Sequence, residues 1–164
     1  MTNLFFSADE VIEVAVKIEE NGSKFYLTCA NNIKDDNLKK VFKHLANEEN
    51  RHMDIFHNLF EKLRNKKIDN EIYTEEANTY MTALSDSRVF SSESEVVKFA
   101  RGTKDVLSLL SYAIGAEKDS VLFYLELLPL TTDADKEIVE SIIKEEKKHI
   151  VELTSLKKEI SRRV

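Results

Sequence analysis

Two segments of the sequence pair a glutamate with a histidine three residues later: Glu49-Asn50-Arg51-His52 and Glu146-Lys147-Lys148-His149. In a helix, residues three apart lie on the same face about one turn from each other, so both side chains of a motif can contact the same ion. Carboxylate oxygen together with imidazole nitrogen suits iron or manganese better than calcium, and zinc stays open as an alternative. The two motifs therefore predict a site for metal ions.

One Glu-x-x-His motif alone is weak evidence, because glutamate is common in this chain. Each of the two motifs, however, lies one hairpin length after another glutamate that interrupts an apolar helix face. These additional acids are Glu19 in the first predicted helix and Glu117 in the third. The repeat of the whole combination indicates a site that takes its ligands from four helices.

Each of the four predicted long helices has one apolar face with a polar layer at mid-depth. The faces are Val11, Ala15, Glu19, Gly22 and Tyr26; Leu38, Val41, Leu45, Glu49, His52, Phe56, Leu59 and Leu63; Val106, Leu110, Ala113, Glu117, Ser120 and Tyr124; and Ile138, Ile142, Glu146, His149, Leu153, Leu156 and Ile160. Acids next to the layer are predicted to lie off these faces, in solvent: Glu20, Glu48 and Glu145.

The polar layer needs compensating charge, because a buried carboxylate without a partner is costly. No lysine or arginine lies nearby on these faces, whereas two divalent cations balance four carboxylates if both histidines are neutral. We therefore predict two metal ions, held by Glu19, Glu49, His52, Glu117, Glu146 and His149. Without metal, repulsion and burial are expected to raise the pKa values of the four carboxyl groups.

Other residues with chemical potential have simpler interpretations. Tyr26 and Tyr124 lie two turns after Glu19 and Glu117, where they either pack in the core or donate hydrogen bonds to ligand carboxylates across the bundle. Gly22 and Ser120, one turn after the same glutamates, leave space beside the metals. Three further residues are interpreted as surface or packing residues: His44, His57 and the small buried Cys29.

The helices that must position these residues can be placed from caps and periodicity. The first runs from a capping box at Ser7 to about Asn32, and the second from Asp35 or Asp36 to about Asn65. The third follows a cap at Thr103 and stops before Pro129, and the fourth runs from Thr132 or Asp133 nearly to Val164.

The connections between these helices predict the topology. The links between helices one and two and between three and four are short, so each pair forms an antiparallel hairpin. A long connection over 66–102, with a short helix near 74–84 and another after Ser92, joins the hairpins. The hairpins also resemble each other, with Glu19 and Glu117 offset by 98 and the two Glu-x-x-His motifs by 97. We predict one all-α domain over 1–164, a four-helix bundle with a single crossover.

Composition limits the other classes of function. The chain has 33% charged residues, only three Gly and one Pro, which favours long helices. Its net charge of −6 argues against nucleic-acid binding. With Cys29 alone it has neither an internal disulfide nor a Cys-x-x-Cys metal site. We expect a cytoplasmic protein with no membrane span and no signal peptide.

At the residues quoted above, the sequence resembles the rubrerythrin branch of the ferritin-like di-iron carboxylate superfamily. The resemblance is carried by 19–26, by both Glu-x-x-His motifs and by 117–124, and it covers essentially residues 7–160. It implies a ferritin-like bundle in which Glu19 and Glu117 are ligands from single helices. It also implies that Glu49 and Glu146 bridge or chelate, while His52 and His149 each bind one metal.

Two departures from the family pattern affect the expected chemistry. Rubrerythrins usually carry a rubredoxin-like domain with one iron on four cysteines, and this sequence contains one cysteine. Many also have an additional glutamate where this chain has Ser120. The missing carboxylate bears on the ligand exchange by which rubrerythrins handle peroxide, so we expect a more symmetric site.

The resemblance implies an oxidoreductase of the peroxidase or ferroxidase type that uses two iron ions to reduce peroxide or dioxygen. Electrons are expected from a separate donor protein, and the chain is expected to form a homodimer and to act in oxidative stress. Two alternatives remain: an iron-handling protein that oxidises and stores ferrous iron, and a non-catalytic bundle stabilised by metal.

Overall fold

The computed structural model describes residues 8–65, 79–80, 83 and 93–163. Over these residues the regular structure is entirely helical. The α-helices are α1 (Ala8–Asn32), α2 (Asp36–Asn65), α3 (Glu93–Gly102), α4 (Val106–Leu127) and α5 (Asp133–Ser161), and a 3₁₀ turn at Leu128–Leu130 separates α4 from α5. The predicted all-α, ferritin-like bundle is confirmed.

The four long helices pair as the short connections require. α1 packs chiefly against α2, and α4 against α5, while contacts between the hairpins run mainly between α1 and α4. The short helix α3, predicted after Ser92, packs against α1. The second predicted helix of the long connection, near 74–84, falls almost wholly outside the described residues. The predicted cap Ser7 also lies outside the described residues.

Side chains of aspartates fix the starts of two helices. Asp35 Oδ1 accepts hydrogen bonds from the backbone N–H groups of Asn37 (2.9 Å) and Leu38 (3.0 Å), as expected for the cap of α2. The cap predicted at Thr103 is wrong, because Asp105 caps α4. The N–H of Thr103 instead donates to the carbonyl of Phe99, which makes Thr103 part of the end of α3.

The core consists of two apolar clusters, with the polar layer of the bundle between them. One cluster includes Val11, Phe56 and Val139, and the other includes Leu38, Leu109 and Leu153. The predicted apolar faces point inward over the described side chains. Their fully or largely buried members are Val11, Ala15, Leu38, Leu45, Phe56, Leu59, Leu110, Ala113, Ile142 and Leu153. Apolar packing on both sides therefore holds the polar layer away from water.

No described helix is both long enough and apolar enough to cross a membrane.

Candidate metal centre

The six residues predicted as metal ligands all lie in the polar layer of the bundle, and all are buried. They are Glu19 on α1, Glu49 and His52 on α2, Glu117 on α4, and Glu146 and His149 on α5. Glu19 and His52 have no exposed surface, and none of the six is more than 4% exposed. The helical spacing that predicted one shared layer therefore agrees with the structure.

One part of the cluster, here called the His52 half, contains Glu19, His52 and Glu146. Their potential ligand atoms all lie within 4.8 Å of one another. His52 Nδ1 is 2.7 Å from Glu146 Oε1 and 3.5 Å from Glu19 Oε2. This spacing would let one ion contact all three side chains.

The other part, here called the His149 half, contains Glu49, Glu117, Glu146 and His149, again with potential ligand atoms within 4.8 Å of one another. His149 Nδ1 lies 2.9 Å from Glu146 Oε2, 3.7 Å from Glu117 Oε2 and 3.9 Å from Glu49 Oε1. Glu146 belongs to both halves, and its two oxygens face different histidines. A bridging position therefore fits Glu146, whereas Glu49 lies only in the His149 half.

Several polar atoms in this layer are buried and have no hydrogen-bond partner within the part of the chain that the structure describes: Glu19 Oε2, Glu49 Oε1, His52 Nδ1 and Glu146 Oε1. His52 Nδ1 and Glu146 Oε1 lie close together, but their relative orientation is not that of a hydrogen bond. Buried polar groups in folded proteins are normally satisfied. Cations bound among these atoms would satisfy them, so the donor set fits a two-metal centre.

Two tyrosines connect the hairpins at the same layer. The hydroxyl of Tyr26 donates to Glu117 Oε1, and that of Tyr124 donates to Glu19 Oε1. Their rings also pack in the core, Tyr26 against Phe42 and Tyr124 against Phe56. Both interpretations of the tyrosines are therefore correct, and each hydroxyl fixes the orientation of one carboxylate.

The carboxyl groups of the cluster do not titrate alike. Burial and the charge of Glu146 raise the pKa of Glu19, and the same two causes raise the pKa of Glu117 to about 8. Burial and the charge of Glu19 raise the pKa of Glu49 well above its usual value. The expectation that all four pKa values rise is wrong for Glu146. Burial would raise its pKa, but contacts with His149 and His52 hold it well below the usual value.

The histidines shift in the opposite sense from that expected of buried imidazoles. Burial alone would lower the pKa of His52, but Glu146 and Glu19 raise it to about 11. Burial likewise disfavours the charged form of His149, and Glu117 and Glu146 raise its pKa to about 10. In the metal-free protein, protons therefore supply the positive charge that the buried carboxylate of Glu146 requires.

A contact behind His52 was not predicted from the sequence. Glu145, predicted to be solvated, is only 23% exposed, and its Oε2 lies 2.9 Å from His52 Nε2. Arg51 binds both Glu145 and Glu48, at 2.8 Å from the latter. Two groups lie near Nε2: the accepting Glu145 carboxylate at 2.9 Å and the donating Arg51 Nη2 at 3.3 Å. The shorter contact favours a neutral ring with the proton on Nε2 and the lone pair of Nδ1 toward the cluster. Glu20 is more exposed, as predicted, and pairs with Lys17 and Lys24.

The remaining candidates lie where their patterns predicted. His44 and His57 are exposed on α2. Cys29 is buried, and burial raises the pKa of its thiol to about 12, which leaves it protonated and unreactive. Gly22 and Ser120 both line a small cavity beside Glu49 and Glu117.

Comparison with known proteins identifies the family of this chain. A family model described as rubrerythrin matches residues 10–157. The chain belongs to the rubrerythrin family. Among curated proteins, none matches this chain.

Two solved structures share the fold. A candidate ferritin-like diiron-carboxylate protein from Thermotoga maritima has 25% identity and a TM-score of 0.74, with 94% of this chain and 97% of that chain covered. A hypothetical protein from Pyrococcus furiosus has 20% identity and a TM-score of 0.66, with 93% and 89% covered. Together with the carboxylate and histidine cluster, family membership supports a metal site.

Proposed function

We propose that this rubrerythrin-family chain is a di-iron oxidoreductase that reduces peroxide or dioxygen. The observation that carries the proposal is the pair of buried ligand groups that share Glu146, with an imidazole in each. Such a set neutralises two divalent cations and leaves both next to the same bridging carboxylate. A redox metal is required for electron transfer, and oxygen and nitrogen ligands suit iron or manganese.

In this proposal Glu19 and His52 would hold one ion, Glu49, Glu117 and His149 would hold the other, and Glu146 would contribute to both. Two ferrous ions at these positions would supply the two electrons that, with two protons, convert one hydrogen peroxide to two waters and leave both irons ferric. The protein's task is to keep the ligands in place while the charge at the centre changes.

The surrounding residues are suited to that task. The hydroxyls of Tyr26 and Tyr124 hold Glu117 and Glu19, and Glu145 holds His52 from the outside. Burial raises the pKa values of both tyrosines well above 10, so the phenols stay protonated and keep donating. The two apolar clusters exclude water above and below the layer.

The electrons needed for repeated turnover must come from elsewhere. Cys29 is the sole cysteine in the sequence, so these 164 residues cannot form a second iron centre on cysteines. We therefore propose a separate electron-donor protein. The purified chain should react once when chemically reduced but should turn over little without a donor.

Stopped-flow reoxidation tests this function. Protein loaded with ferrous iron without oxygen is mixed with hydrogen peroxide or with dioxygen at matched concentrations, and the ferric absorbance is followed. We expect peroxide to react faster. Ser120→Glu adds a carboxylate one turn from Glu117, which should assist a change of ligands and raise the ratio of the peroxide rate to the dioxygen rate. The ratio is compared, and not either rate alone, because Ser120 also lines the cavity beside Glu117.

The same experiment separates the alternatives. Faster reaction with dioxygen, together with the accumulation of many irons per chain, would replace the proposal with an iron-handling function. Full iron loading without reaction toward either oxidant would refute the oxidoreductase and leave a structural metal site.

A further inference from the structure

A small cavity lies between α1 and α4 next to the His149 half of the cluster. Its volume is about 30 Å³, enough for a molecule of very few atoms. Glu49 and Glu117 are at its inner end, and both are buried. Tyr112 and Ala116 line it from partly exposed positions on α4, which places the outer end near the surface.

The cavity wall is mainly apolar and includes the long connection between the hairpins. Ile18 and Phe25 contribute from α1, and Val96 contributes from α3. All three are buried. A mainly apolar passage of this size favours small uncharged molecules over a hydrated ferrous ion, which would have to lose most of its water to enter.

Gly22 explains how the cavity reaches the cluster. A Cβ atom at this position would lie 2.6 Å from Glu49 Oε2, which is too close for any real contact. The missing side chain therefore lets the Glu49 carboxylate pack directly against α1. Glu49 lines the inner end of the cavity, and its Oε1 is buried with no hydrogen-bond partner among the described residues.

The cavity reaches only one half of the cluster. Glu49 and Glu117 line it and belong to the His149 half, whereas Glu19 and His52 do not line it and have no exposed surface. A molecule that enters here meets the His149 half first.

We propose that this cavity admits the oxidant and limits it by size to hydrogen peroxide and dioxygen, with bulky organic hydroperoxides excluded. The inference rests on the proposed oxidoreductase function. In addition, the oxidant enters between α1 and α4 and reaches the His149 half first. The size of oxidant that can enter is set by the lining residues Ile18, Val96, Ala116 and Gly22.

The first test compares oxidants of different size. Reduced, iron-loaded wild type is mixed with hydrogen peroxide and with cumene hydroperoxide, and the two rates are compared. Each extra group that a closed apolar pocket must reject is worth about 10–200-fold in rate, so cumene hydroperoxide should react at least tenfold more slowly. Equal rates would overturn size selection. If neither peroxide reacts, the proposed function fails instead.

Two variants change the cavity in opposite directions without altering a ligand. Ala116→Leu should fill it and slow hydrogen peroxide about tenfold or more, whereas Val96→Ala should widen it and speed cumene hydroperoxide. Ala134→Leu, at an exposed alanine on α5, controls for the added side chain. An unchanged peroxide rate in Ala116→Leu, with iron content equal to wild type, would place the oxidant route elsewhere.

A second readout needs no metal and no reaction. Xenon binds against apolar cavity walls, and the outer part of this wall is apolar, so crystals of wild type prepared without metal and held under xenon pressure should show one xenon between Ile18 and Ala116. The site should be lost in Ala116→Leu and kept in Ala134→Leu. Xenon bound elsewhere, or bound equally in Ala116→Leu and Ala134→Leu, would show that this cavity is not the oxidant route. That result would leave the proposed oxidoreductase function untouched.

Discussion

His52 and His149 occupy equivalent positions in the two hairpins, yet their surroundings differ. Behind His52, Glu145 contacts Nε2 and is itself held by Arg51. Among the described residues, His149 contacts carboxylates through Nδ1 only. The position equivalent to Arg51 is Lys148, which is exposed.

The cavity side of the cluster differs as well. Gly22 lies against Glu49 in the His149 half, and the equivalent position on α4 is Ser120, whose hydroxyl donates to the carbonyl of Ala116. The two hairpins thus repeat the same types of ligand. The residues around the ligands differ: in the His52 half the histidine is held from outside by Glu145, and in the His149 half the cavity opens beside Glu49. The comparison predicts which substitutions should affect both halves and which should affect only one.

The largest effect is expected at the residue that the halves share. Glu146→Ala should remove both metals, because the oxygens of Glu146 face both histidines. Loss of an outer partner of a metal ligand already costs about 10–100-fold in affinity, and loss of the shared ligand should exceed this. Elemental analysis after anaerobic loading should give about two metals per chain in wild type and almost none in the variant.

Glu152→Ala, at an exposed position on the same helix, is the matched control and should bind metal as wild type does. One metal retained by Glu146→Ala would mean that the halves are independent and that Glu146 does not bridge.

Removing the metals should reveal the charge arrangement of the whole cluster. In the metal-free fold the pKa of Glu117 is about 8, that of His149 about 10 and that of His52 about 11, all above their usual values. The native state therefore binds more protons than the unfolded chain above about pH 4.5, and it loses stability as pH rises through these values. The depressed pKa of Glu146 acts only in acid, below the usual carboxyl range.

Thermal unfolding followed by circular dichroism checks this prediction at pH 5, 7 and 9, with chelator or with excess manganese(II). The melting temperature of the metal-free protein should fall as pH rises. Metal at about 100 times its dissociation constant should raise the melting temperature at neutral pH by roughly 5–10 °C. A metal-free protein that becomes more stable from pH 5 to 9 would contradict this charge arrangement.

The helices and the ligand layer could be predicted from the sequence because both follow from local spacing. Apolar residues at intervals of three and four define a face, and a polar residue on that face must be buried with its neighbours. For this reason Glu19 and His149 could be placed in one layer without knowledge of the interhelical distances.

Features that depend on the distance between helices could not be predicted in this way. Glu145 lies off the inner face of α5, and only its approach to α2 brings it to His52. The low pKa of Glu146 likewise requires that two imidazoles face its two oxygens. The cap at Asp105 was missed because Thr103 is equally acceptable by residue type, and only the end of α3 decides between them.

Substitution of Glu145 should affect the His52 half alone. Glu145→Ala leaves His52 Nε2 without its acceptor, so the ring is less firmly oriented, and the affinity of that half for metal should fall about 10–100-fold. A cobalt(II) titration followed by visible absorbance should show one weakened binding step and one unchanged step.

Glu48→Ala is the control, because Glu48 is also a partner of Arg51 but makes no hydrogen bond to His52 among the described contacts. This variant should leave both binding steps close to wild type. Equal weakening in the two variants would assign the effect to Arg51 rather than to His52.

The smallest effects are expected from substitution of the tyrosines. The two halves are alike at this point, so the two substitutions should reduce stability by nearly equal amounts. Tyr26→Phe and Tyr124→Phe each remove one hydroxyl that donates to a buried carboxylate across the bundle, while the ring that packs on Phe42 or Phe56 is kept. Each should reduce the unfolding free energy of the metal-loaded protein by about 1–2 kcal/mol, with Tyr80→Phe at an exposed position as the control. Since both phenols have pKa values well above 10, the losses should be the same at pH 6 and pH 8. Urea unfolding of the three variants measures this directly. Losses that differ by more than about 1 kcal/mol, well beyond the spread of a typical hydrogen bond, would extend the asymmetry of the histidine side to α1 and α4 as well.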